Sequence, residues 1–141
     1  MNKIVTCLCF CLITFGPVGH VNATDWQLLK KLSDSNFFID RDSIKGVGNV
    51  KNNGDRRKVQ TLISYQAMQR NVSGASFMSM SFVDVVSCSN RTMATISSKQ
   101  YAGENGTGKV VNFHNMNAIV PMEVEIGTVN EYVMDKLVCS H

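Results

Sequence analysis

Residues 77–88 read FMSMSFVDVVSC, from Phe77 to Cys88, and the alternation in that run decides the fold class. Successive side chains of an extended strand point to opposite faces. Met78, Met80, Phe82, Val86 and Cys88 then share one face, while Ser79, Ser81 and Ser87 share the other. This predicts a strand with an apolar side for a core and a more polar side turned outward, on which Val83 and Val85 are exceptions. Asp84 breaks the apolar row and predicts a bulge or a strand end. The run finishes on a cysteine, so the location of a second cysteine matters as much as the pattern.

The flanking sequence supplies neighbours for this strand. Upstream, Val59 to Met68 places Val59, Thr61, Ile63, Tyr65 and Ala67 on one face. Before it, 26–29 and 36–39 read as two short strands separated by the turn-prone Ser33-Asp34-Ser35. Arg41 to Lys45 carries local side-chain acceptors and predicts a tight turn, and Asn53-Gly54 predicts a type I′ hairpin turn. Downstream, Ser89-Asn90 turns the chain into a strand from Thr92 to Tyr101, followed by another from Lys109 to Phe113. Connections this short predict antiparallel pairing. The period then changes. Thr128 and Glu131 stand in capping-box register, and Val129, Tyr132, Val133, Lys136 and Leu137 recur at helical spacing. Glu131 and Asp135 would face away from that stripe, and Tyr132 would share its face with Cys139. The expected fold is α+β and mostly β: an antiparallel sheet of about five to six strands with a C-terminal helix.

The chain has five cysteines, and Cys7, Cys9 and Cys11 sit within an apolar run at residues 4–15. Lys3 precedes that run, Gly16-Pro17 ends it, and Val21-Asn22-Ala23 offers small residues for a signal peptidase. A membrane span needs roughly 20 apolar residues, more than this run supplies. A lipoprotein cysteine wants a small residue before it, whereas Thr6, Leu8 and Phe10 precede the three candidates. The expectation is a signal peptide over residues 1–23, cleaved between Ala23 and Thr24, and one domain over 24–141. The product would be exported, periplasmic or secreted to the cell surface, with neither a transmembrane segment nor a lipid anchor. Cys88 and Cys139 remain, an even count that suits an oxidising compartment. Neither has a CxxC partner or a histidine at ligand spacing, which favours a Cys88–Cys139 bridge over two free thiols serving as nucleophile or metal ligand.

Several features read in order carry a resemblance. They are Trp26, the block Phe37-Phe38-Ile39-Asp40-Arg41-Asp42-Ser43-Ile44, the long strand ending in Cys88, and Arg91. Tyr101 with Gly103, Gly106-Thr107-Gly108, and Pro121 ahead of the segment closing on Cys139 complete the set. The pattern resembles the surface-adhesin E family of exported bacterial proteins over almost all of residues 24–141. The resemblance implies an antiparallel sheet with a disulfide-held C-terminal helix, and a possible homodimer. It further implies binding to host matrix or serum proteins such as vitronectin and laminin, with haem binding also attributed to the family.

Candidate sites are few. Gly103 to Lys109 fits the spacing GxxxxGK, but Val110 stands where a phosphate loop needs Ser or Thr, and the residues beyond read as strand. A glycine-rich hairpin loop is the expectation there. His114 has no clustered ligands, which predicts no metal site. No nucleophile motif or paired base marks a catalytic residue, so the protein reads as a non-enzyme without a cofactor. Glu123 and Glu125 would share a strand face, which alone is weak support for glycoside chemistry. The formal net charge of +3 is too small for a nucleic-acid binder. The densest positive patch is Lys51, Arg56, Arg57 and Lys58, which predicts a contact surface for an anionic macromolecular partner. The functional expectation is an exported, adhesin-like binding protein. The alternative is a periplasmic or envelope protein that inhibits or assists a lytic enzyme.

Overall fold

The computed structural model describes residues 24–48 and 55–140. The expected signal peptide, its cleavage point and the Asn53-Gly54 turn therefore lie outside the described residues. Seven strands form one antiparallel sheet. They are β1 (Gln27–Lys31), β2 (Ser35–Gly46), β3 (Arg56–Arg70), β4 (Ser76–Ser87), β5 (Thr92–Tyr101), β6 (Val110–Asn115) and β7 (Met122–Glu123). The first six lie side by side in chain order, as short connections dictate, and β7 returns to pair with β5. β6 and β7 divide one edge of β5 between them. β6 lies opposite Ser97–Tyr101, and β7 opposite Thr92 and Met93.

Two of the sheet's register shifts bear on the sites. Arg41–Lys45 is not the turn its local acceptors suggest, since β2 runs on to Gly46 and only slips register between Asp40 and Lys45. The Ser43 hydroxyl donates to the Asp40 carbonyl at 2.6 Å and accepts the Gln60 N–H at 2.7 Å. It thus stands in for the ladder carbonyl that the bulge displaces. The second slip is at Asp84, as the interrupted apolar row predicted. Val83 faces Ser97 and Asp84 faces Thr95, which leaves Ile96 as the extra residue on β5.

The C-terminal helix α1 begins as one α-helical turn, Val129–Tyr132, and widens into a π-helix over Val133–Val138. Its start is capped on both sides. The Glu131 N–H donates to Thr128 Oγ1 at 3.2 Å, and the Glu131 carboxylate accepts the Gly127 N–H at 2.8 Å. At its end the Cys139 N–H reaches back to the Met134 carbonyl at 2.8 Å. The wider turn rotates the buried stripe to Val133, Met134, Leu137 and Val138. Tyr132, expected on the buried face with Cys139, is consequently 50% exposed, and Lys136 is exposed. The Cys88–Cys139 disulfide is present, with Cα atoms 5.7 Å apart, and staples the end of α1 to the end of β4. No helix among the described residues is long and apolar enough to cross a membrane.

Both faces of the sheet are covered, by different means. On one face, Val133, Met134, Leu137 and Val138 of α1 pack on Phe37, Ile39, Val59, Val86 and Met93. This is the apolar face read from residues 77–88, but α1 reaches only the end nearer Cys88. Met78, Met80 and Phe82 farther along are half-buried rather than core. The opposite face departs more from expectation. Ser79 and Ser81 are buried instead of pointing to solvent, as are Leu62 and Ser64 on β3. The loop after β5 folds over them. Its 3-10 turn, Glu104–Gly106, hangs from sheet hydroxyls: the Asn105 N–H donates to Ser64 Oγ at 3.0 Å and the Gly106 N–H to Ser79 Oγ at 2.9 Å. Ser79 Oγ donates in turn to the Gly103 carbonyl at 2.6 Å. Ser64 and Ser79 are the sockets of this loop, while the Ser81 hydroxyl pairs with the Tyr101 hydroxyl at 3.3 Å.

Candidate functional site

The cationic strand end is built from consecutive residues, and that limits what it can present. Lys51 lies outside the described residues. Arg56 begins β3 and is exposed, while Arg57 and Lys58 are half-buried. Neighbours along a strand point to opposite faces, so Arg56 and Lys58 share one and Arg57 takes the other. Lys58 sits directly opposite Lys45 of β2. The structure therefore gathers Lys45, Arg56 and Lys58 on one face and sets Arg57 apart from them.

Asp55 precedes this group, and its carboxylate is bound to the turn between β4 and β5. Its carboxylate accepts the Ser89 N–H at 2.8 Å, the Ser87 hydroxyl at 3.1 Å and the Ser89 hydroxyl. The Ser89 hydroxyl, then the Ser89 N–H, hold its pKa down to about 2. Asp55 is thus committed to the β4–β5 turn. In the same turn Arg91 adopts φ 52°, an uncommon conformation for a residue with a side chain. Its guanidinium grips Asp135 of α1 through two bonds of 2.9 and 3.3 Å, with Glu131 at 3.6 Å. The Asp135 hydrogen bond and charge push the Arg91 pKa upward. Glu131 and Asp135 do face away from the core, but they clamp the turn that carries Cys88.

The glycine-rich loop cannot cradle phosphate. Its Asn105 and Gly106 N–H groups are consumed by Ser64 and Ser79, and the Gly103 N–H by the Thr107 carbonyl at 3.0 Å. No helix follows, since β6 begins at Val110. Gly106 has φ +74°, and a Cβ there would lie 3.0 Å from Trp26 Nε1 and 3.3 Å from a Leu62 methyl. Glycine is required because the loop is pressed between Trp26 and the sheet.

A groove lies on the helix-bearing face, between the sheet and the segment 122–130. It measures about 520 Å³ and is lined by Phe37, Ile63, Phe82, Met93, Met122 and Val124, with Thr61, Asp84 and Thr95 on its sheet side. Asp84 is 5% exposed. Thr95 Oγ1 donates to one carboxylate oxygen at 2.6 Å and Thr61 Oγ1 to the other at 3.4 Å. Burial pushes its pKa up, against the opposing pull of those two hydroxyls. The signal for this site was the acid that interrupts an apolar row. It marked the bulge and also the groove floor.

Glu123 and Glu125 are both exposed at the groove rim, and strand β7 ends at Glu123, so the extended face expected to carry both is only one glutamate long. His114 is exposed on β6 opposite Ser98. Among the described residues no group of three His, Cys, Asp or Glu side chains could hold a metal ion.

A six-strand meander with a returning seventh strand and one helix stapled by a disulfide defines a small clamped α+β domain. The family model for surface-adhesin protein E matches residues 26–140, so the chain belongs to that family. A crystal structure of protein E from non-typeable Haemophilus influenzae is similar in fold, with a TM-score of 0.54 at 11% identity, covering 84% of this chain and 78% of that one. The selenomethionine form of Haemophilus influenzae protein E superposes with a TM-score of 0.55 at 12% identity, covering 79% and 87%. At such identities the likeness extends to the fold. No curated protein matches the chain in sequence.

Proposed function

We propose that this is an exported, non-catalytic binding protein that recognises a macromolecular partner in the manner of an adhesin, through the strand end at Lys45, Arg56 and Lys58. The partner class favoured by family membership is a host matrix or serum protein. The observation that carries the reading is the gathering of three cations on one face while Asp55 beside them is engaged elsewhere. Long cationic side chains on a strand end keep much of their hydration, so they can steer an anionic surface toward contact at little desolvation cost. Export rests on the apolar leader at 4–15 and the small residues before Thr24.

The test is a pull-down of residues 24–141 against matrix proteins, serum proteins and periplasmic extract, followed by surface plasmon resonance on what is recovered. Association should slow as salt rises, because the Debye length falls from about 10 Å at 0.1 M to about 3 Å at 1 M. The pair Arg56→Glu and Lys58→Glu should slow association more than it speeds dissociation. Unchanged association rates would remove this patch from the interface. Recovery of a periplasmic lytic enzyme alone would replace the adhesive reading with an inhibitory or accessory one.

A further inference from the structure

The groove over β3, β4 and β5 has the opposite chemistry to the strand end and stands apart from it. Its walls are apolar, and its floor holds a carboxylate that packing alone would not place there. A buried carboxylate is unfavourable unless something compensates its charge. Asp84 receives one threonine hydroxyl on each oxygen. An ionised carboxylate has about four acceptor positions, so about half of its capacity is unused. Neither ion pair recorded among the described residues involves Asp84; both belong to Arg91. Glu123 and Glu125 at the rim add negative potential to a cleft with low-dielectric walls, where such fields are focused.

We propose that this groove binds a small organic cation: a protonated primary amine on an unbranched apolar stem. The ammonium sits on Asp84, with Thr61 and Thr95 able to accept its remaining protons through their hydroxyl oxygens. The stem lies against Phe82, Ile63 and Met93. A primary ammonium suits the floor because its three donors can divide between one carboxylate and two flanking hydroxyls. A fatty acid is excluded by the like charges of Asp84, Glu123 and Glu125. A volume of about 520 Å³ falls in the range of small-ligand sites and is far too small for a folded partner.

The experiment is a methyl-NMR titration of residues 24–141 carrying labelled methionine, with octylammonium, octanol and octanoate as probes. Octylammonium should shift the methyls of Met93 and Met122 and leave the exposed Met68 unmoved. Octanol should bind about ten- to a hundredfold more weakly, the worth of a hydrogen bond to a charged group. Octanoate should not bind. Asp84→Asn should reduce the preference for octylammonium over octanol to near parity, with folding checked by the same methyl spectrum. The wild-type comparison stands alone should that variant not fold. Equal binding of octanol and octylammonium would overturn the proposal, as would shifts confined to methionines outside the groove. A lysine-containing peptide that binds where octylammonium does not would also overturn it, by giving the groove to a polypeptide.

Discussion

Replacing Ser79 by alanine should unseat the glycine-rich loop. Its hydroxyl donates to the Gly103 carbonyl at 2.6 Å and accepts the Gly106 N–H at 2.9 Å, and the side chain is 0% exposed. If the loop stays down in the variant, two backbone groups lose their partner, each at a cost of about 1–3 kcal/mol. If it lifts, those groups reach water but Leu62 is uncovered, at about 1.5–3 kcal/mol. The cheaper route sets the limit, so the expected loss is about 1.5–3 kcal/mol, read from urea unfolding. Trp26 is the one tryptophan in the sequence and it packs on Gly106, so its emission distinguishes the routes. A red shift in the native baseline reports a lifted loop, and an unchanged spectrum a strained one. A loss below about 0.5 kcal/mol with unchanged emission would refute the idea that Ser79 is a socket, since that is the size of an ordinary surface effect.

Removing both cysteines (Cys88→Ser with Cys139→Ser) should lower stability by roughly 2–5 kcal/mol in chemical denaturation, most of it from the less constrained unfolded chain. Asp55 and Asp84 should act on acid stability with opposite signs, measurable as melting temperatures across pH. The folded pKa of Asp55 is about 2, below its ordinary 3.8, so its contribution is complete above 3.8 and lost as pH falls toward 2. The deficit of Asp55→Ala should therefore close over that interval. The folded pKa of Asp84 lies above 3.8, so ionising it costs the fold as pH rises. Asp84→Asn should melt higher than wild type near neutrality and converge with it below 3.8. Intact-mass measurement of the exported protein should show a chain starting at Thr24 with no diacylglyceryl increment, and a retained N-terminus would refute the cleavage.

Much of the fold could be read from local pattern, because it is written in short-range terms. The strand order follows from short connections, the start of α1 from Thr128 and Glu131, and the β4–β5 bulge from Asp84. The errors fall where a distant segment decides. Alternation separates the two faces of residues 77–88 correctly, yet it cannot say that residues 103–108 will return to cover Ser79. A period of 3.6 placed Tyr132 with Cys139, whereas the π-helical widening that turns Tyr132 outward depends on how α1 meets the sheet. The acceptors within Arg41–Lys45 were recognised, but whether Ser43 closes a turn or bridges a bulge depends on Gln60 across the sheet. The groove joins side chains from β2, β3, β4, β5 and the segment 122–130, so no single window of sequence contains it. The cationic patch was found as a run of residues, and only the strand geometry divides it between faces.

The staple between residues 88 and 139 also sets how the domain answers mechanical load. A pull applied beyond Cys139 does not unwind α1 turn by turn; it passes through the disulfide to the junction of β4 and β5, inside the sheet. A pull on residue 24 meets β1, an edge strand with one neighbour, and can peel it away one hydrogen bond at a time. The domain thus has a strong end and a yielding end. Which end bears the load would therefore govern how long the fold survives.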